Sequence, residues 1–236
     1  PEKTAIARNL LDFYYFTSRA RKNERADPHH GAYGLIAWGI DTPYRYSGNY
    51  GDDNARLLMA TLVAASVLGE NRWDEAMMMC LLANLRTTGR FGFRGDDLTI
   101  TQLAAGWRPF FDGEVVSYSP HMECYLWACY LWAFDRTGFD LFYQRAITAL
   151  CMTMAQHTDG WRWTNGLAQE KARLLLPLAW LVRVKDTPEH RQWLNRVVDD
   201  VLALQDPCGA IREELGRPGK GTCPPPESNE AYGRQE

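Results

Sequence analysis

Asp52 and Asp53 stand side by side where the polar segment Tyr50-Gly51-Asp52-Asp53-Asn54-Ala55-Arg56 gives way to an apolar run. Such a pair can cap a helix through its free backbone N–H groups; alternatively one Asp caps while the other faces a pocket and moves protons. A helix N-terminus favours the ionised carboxylate, so the expected role is base or nucleophile. Glu123 and Glu170 open two equally apolar, Trp-containing runs. Desolvation there raises a carboxyl pKa, as a general acid requires, although a first-turn Glu also offsets the helix dipole. His121, beside Pro120, is a candidate base or a capping residue. It lies two residues from Glu123 and so on a different helix face, and no His or Cys spacing fits zinc. Neither a metal nor a cofactor is expected. His29 and His30 read as a surface loop.

The elements that must position these groups are helices and almost nothing else. Candidates are residues 4–22, 52–68, 72–87, 121–136, 139–156, 168–185 and 188–205. Gly69-Glu70-Asn71, Thr137-Gly138 and Asp186-Thr187-Pro188 form tight connections between the last six, taken in pairs. Long loops separate the pairs, so the chain reads as a series of antiparallel helical hairpins. The first member of each pair is apolar on every face and the second keeps a wet face, which predicts an inner and an outer layer. Pro177 should kink or break the sixth helix. The 95–120 insertion carries a predicted short helix at 98–105 and an extended Val115-Val116-Ser117-Tyr118, and it reads as a lid.

The long loops repeat a turn-forming Gly, one or two non-polar residues and an Arg: Gly92-Phe93-Arg94, Gly160-Trp161-Arg162 and Gly209-Ala210-Ile211-Arg212. Inner and outer helices alternating around turn-rich loops of this kind resemble the (α/α)6 toroid of the six-hairpin glycosidase-like superfamily. The resemblance covers most of residues 52–216 and implies an all-α partial ring at 1–216. Residues 217–236, with Pro224-Pro225-Pro226, read as a linker to further hairpins. It further implies a substrate pocket on the long-loop face, at the N-termini of the inner helices. That rim gathers the catalytic candidates Asp52, Asp53, His121, Glu123 and Glu170. Arg56, Arg94, Tyr118, Trp161 and Trp163 would bind substrate, and Glu213 and Glu214 lie beyond them. Carboxylates beside flat rings suit a carbohydrate. The expected function is a glycoside hydrolase. The alternatives are a toroidal sugar epimerase, which wants two histidines, and a non-catalytic glycan- or protein-binding scaffold.

Composition sets the outer bounds. The 236 residues are 46% hydrophobic and 23% charged, a globular profile. A net charge of −3 gives no footprint for nucleic acid. No apolar run reaches the roughly 18 residues that a membrane span needs. Cys80, Cys124, Cys129 and Cys151 fall within helical runs, while Cys208 and Cys223 are loop residues that could pair. The opening Pro1-Glu2-Lys3 reads as the start of an excised piece or of a processed product. A polysaccharide-degrading enzyme would be periplasmic or extracellular, and otherwise cytoplasmic.

Overall fold

Three helices of mainly apolar sequence lie in a row and carry the rest of the fold. The computed structural model describes residues 2–18, 23–164 and 166–213. α1 (Glu2–Asp12) runs on into a π-helical turn at Phe13–Ser18, and a short α2 (Pro43–Ser47) precedes the first hairpin. The hairpins are α3 (Gly51–Leu68) with α4 (Asp74–Arg86), α7 (Pro120–Thr137) with α8 (Asp140–Ala155), and α9 (Leu167–Val184) with α10 (Pro188–Leu202). Between the first two lie α5 (Ile100–Leu103) and α6 (Arg108–Phe111). The described residues are therefore mostly helical, as expected.

Local chemistry explains where the long helices stop. α3 and α7 both end on a left-handed glycine, Gly69 at φ 66° and Gly138 at φ 67°. There a Cβ would be strained, and the glycine N–H caps a carbonyl of the last turn. At the start of α10 the Thr187 hydroxyl accepts from the His190 N–H, 3.1 Å, with Pro188 at the first helical position.

α7 occupies the centre, with α3 on one side, α9 on the other and α8 behind it. α4 packs against α3 and α10 against α9, which leaves α3, α7 and α9 as the inner row. Trp127, Tyr130, Leu131, Phe142, Leu150, Leu174 and Leu178 fill the core between them. Only α7 is close to apolar-buried all round. α3 leaves Val63 66% and Val67 79% exposed, and α9 leaves Ala172 and Ala179 exposed. These two helices flank α7, and each has one side that no described helix covers. Pro177 does not break α9, which runs through it while packed against both α7 and α10. Tertiary packing here outweighs the cost of one missing backbone hydrogen bond.

The insertion departs from the expected lid. Leu98 and Leu103 are buried with Ala32, Leu35 and Ala83 in a small second core, and Phe110 packs on it. The predicted helix at 98–105 shortens to α5, and α6 was not foreseen because Pro109 and two aromatics give no clear period. Residues 19–22, within the first predicted helix, lie outside the described residues, as do Glu214, Cys223 and the 217–236 linker. Cys208 is free and exposed. No helix among the described residues is long and apolar enough to cross a membrane.

Asn54, fully buried on α3, joins the preceding loop to both helices of the first hairpin. Its Oδ1 accepts from the Ile36 N–H (2.9 Å) and from Asn84 Nδ2 on α4 (3.1 Å), while its Nδ2 donates to the Ile36 carbonyl (2.8 Å). Truncation would strand buried donors and acceptors on three segments. Asn54→Ala is expected to cost about 2–4 kcal/mol. Urea unfolding should show a lower midpoint with an unchanged slope.

Candidate functional site

Equivalent positions at the starts of the three inner helices do equivalent jobs. The fourth residue is Asn54 in α3, Glu123 in α7 and Glu170 in α9, all fully buried. Each ties down loop backbone. Glu123 Oε1 accepts from the Arg94 and Gly95 N–H groups at 3.0 and 2.8 Å, and Oε2 accepts from Arg94 at 3.1 Å. Glu170 accepts from the Thr164 N–H at 3.0 Å and, by a short bond, from the His121 N–H. The second residue of α3 is Asp52 and that of α7 is His121, and the two side chains meet at the mouth of the helical row, where α3 and α7 begin.

His121 Nε2 lies 3.6 Å from Asp52 Oδ2, and His121 Nδ1 lies 4.0 Å from Glu170 Oε1. Asp52 Oδ2 is also 3.0 Å from Arg56 Nη2, one turn along α3, and 3.8 Å from Arg173 Nη1 on α9. Arg173 Nη1 donates to the His121 carbonyl at 3.3 Å. Both guanidiniums approach the Tyr125 ring, with carbon-to-centroid distances of 4.9 Å for Arg173 and 6.0 Å for Arg56. Asp52, His121 and Glu170 thus share one end of the inner layer, the end at which the long loops enter.

Burial governs the electrostatics of this end. It pushes the Asp52 carboxyl up from its ordinary value, against Arg56, Arg173 and the first backbone amides of α3. The expectation that the helix terminus alone would decide this carboxylate is therefore corrected: desolvation outweighs the dipole. Burial takes the His121 imidazole down to about 3, helped by the positive charges of Arg173 and Arg56, so the ring is neutral at physiological pH. Burial also lifts Glu123 to about 8 and Glu170 to about 7, against the backbone N–H groups that favour their ionised forms.

Several anticipated site residues serve the scaffold. Glu123 and Glu170 are expected above as acids, yet neither side chain reaches the surface and both spend their oxygens on backbone amides. Trp161 and Trp163 are 0% and 3% exposed, so their rings pack in the core and offer no face to a ligand. Trp161 Nε1 donates to the Thr153 carbonyl, 2.9 Å. Arg94 is buried as well, donating to Thr87 Oγ1 at 3.0 Å and to the Asn49 carbonyl at 2.6 Å. Glu213 accepts from the Ala168 N–H at 2.8 Å, which braces the start of α9. Tyr118 and Asp53 are half-buried, and Tyr118 sets its edge against Phe93. Arg56 is the most exposed of the proposed ligand-binding side chains, 47%.

Sequence reasoning missed Arg173 and Tyr125. A signal existed: Tyr125 stands one turn after His121, as Arg56 stands one turn after Asp52, so each shares its partner's helix face. Arg173, three residues after Glu170, is the last charge before the apolar run Leu174-Leu175-Leu176. Among the described residues no group of three His, Cys, Asp or Glu side chains could hold a metal ion. Comparison with protein-family models and with curated proteins finds no match.

The neutrality of His121 is directly measurable. Its folded pKa lies below the unfolded value of about 6.5, so its share of stability is present above that pH and is lost as pH falls toward 3. Imidazole NMR shifts of His121 should stay constant from pH 8 to 5. His121→Gln should remove part of the stability loss of the wild type between pH 7 and 4, as read by urea midpoints.

Proposed function

We propose that the chain is part of an (α/α)6 toroid and acts on carbohydrate as a glycoside hydrolase, on a glycan chain end or a short oligosaccharide. The observation that carries this reading is the meeting of Asp52 and His121 at 3.6 Å, beside Arg56, Arg173 and Tyr125, where the inner helices begin. The toroid reading is supported by the alternation of inner and outer helices and by the uncovered sides of α3 and α9. In a closed ring, more inner helices would pack against those sides. The repeated use of the fourth helical residue as a loop brace supports three copies of one structural unit.

In the proposed reaction Asp52, its carboxyl pushed up by burial, donates a proton to the departing glycosidic oxygen. Asp53, its half-buried neighbour, is the second carboxylate, acting on water or on the sugar carbon. Arg56 and Arg173 orient substrate oxygens, and Tyr125 offers a half-buried ring beside them. Glu123 and Glu170 keep the loops in place and touch no substrate. One observation favours a second reading, a sugar epimerase: His121 is neutral and so able to take a proton from carbon. No second histidine joins it among the groups facing Asp52.

A glycan screen with product analysis separates these readings, since hydrolysis releases a new reducing end and epimerisation does not. Asp52→Asn and Asp53→Asn should each lower kcat by about 10²- to 10⁴-fold with the fold intact. Glu123→Gln and Glu170→Gln should instead lower the thermal midpoint. If both Asp variants keep full turnover, the site assignment fails. If a glycan is bound and none is altered, the protein is a binding scaffold.

A further inference from the structure

A second surface beside the mouth has the chemistry of a sugar subsite, and none of its aromatic residues figures in the catalytic proposal. Tyr50 immediately precedes α3, two residues before Asp52, and its backbone bridges to Asp97 of the insertion. The Trp38 ring stands near-perpendicular to the rings of both Tyr50 and Tyr44, with centroids 5.4 and 5.7 Å away. Tyr44 lies on α2 and is 67% exposed, next to Ile40 at 47%. Arg45 lies over Trp38 at 5.0 Å and pairs with Asp41 at 2.8 Å, which fixes the indole and leaves the phenol of Tyr44 as the open ring.

The corner is rigidly founded. Buried Arg25 donates to Asn49 Oδ1 at 2.9 Å and to the Tyr46 carbonyl at 2.6 Å. Asn49 donates through its backbone N–H to Asp97 Oδ1 at 2.7 Å and through Nδ2 to the Leu98 carbonyl at 2.6 Å. Tyr50 is hydrogen-bonded to the Tyr44 side chain and lies in the field of Asp97 and Asp96. The result is a fixed cluster of three aromatic rings flanked by two carboxylates, one of them exposed Asp96. Flat apolar faces suit the C–H face of a pyranose, and carboxylate oxygens accept from its hydroxyls. The same carboxylates repel an anionic ligand.

We propose that Trp38, Tyr44 and Tyr50, with Asp96 and Asp97, form an outer subsite for an uncharged pyranose of a glycan chain, adjacent to the Asp52–His121 mouth. The inference rests on the carbohydrate reading, and its test separates the two. Calorimetric titration of the 236-residue chain uses cellohexaose, mannohexaose and xylohexaose, with hexagalacturonate as the anionic probe. At least one neutral hexasaccharide should bind saturably. Tyr44→Ala should weaken it roughly tenfold and Tyr44→Phe less than twofold. Tyr44 is surface-exposed, so these variants should unfold at the wild-type midpoint. Failure of all three neutral chains to bind overturns the subsite. So does binding of hexagalacturonate alone, or unchanged affinity in Tyr44→Ala. Tyr44-dependent binding without turnover would keep the subsite and sink the hydrolase. Turnover indifferent to Tyr44→Ala would do the reverse.

Discussion

Buried side-chain oxygens at the fourth position of each inner helix hold loop backbone in place, and the geometry of the mouth depends on that contact. A loop entering a helical layer brings N–H groups that have no helical partner, and leaving them buried and unpaired is costly. Asn54, Glu123 and Glu170 meet this need from the first turns of α3, α7 and α9. Because Glu170 also takes the N–H of His121, the start of α7 is tied to α9 and to the loop before it. The bond from the His121 N–H to Glu170 on α9 thereby positions the imidazole beside Asp52.

The cost of burying carboxylates is offset by the direction of the surrounding charges. Glu123 has Arg94 for company, and Asp52 has Arg56 and Arg173, while His121 stays uncharged between them. This partition leaves one mouth with a buried acid, a neutral imidazole and two cations. In water the acid and the imidazole would titrate near their ordinary values; burial moves both away from them.

Aromatic residues divide into two populations that their type alone does not distinguish. Trp73, Trp127 and Trp161 are fully buried, and each indole N–H finds an acceptor: Asp12 Oδ1, the Gly92 carbonyl and the Thr153 carbonyl. Trp38 and Tyr44 sit on a short helix and the loop before it, where no second layer covers them. Position in the fold separates the two groups: the hairpins enclose Trp73, Trp127 and Trp161, and the loop that enters the first hairpin presents its own rings.

The all-α class, the six long helices of the hairpins and the end of the molecule at which Asp52, His121 and Glu170 gather were legible in the sequence. Apolar periodicity, Gly and Pro punctuation and alternating loop lengths are local properties, and they dictate helix starts and stops without reference to distant residues. The roles of the polar residues were not legible. Glu123 and Trp161 carry the same residue types that a sugar pocket would use, yet loop amides and core packing claim them. Arg173 entered the site, and Pro177 stayed inside an unbroken helix, because of contacts between α9 and neighbours far away in the chain. Burial and partner choice depend on which helices lie side by side, and only the tertiary structure decides that.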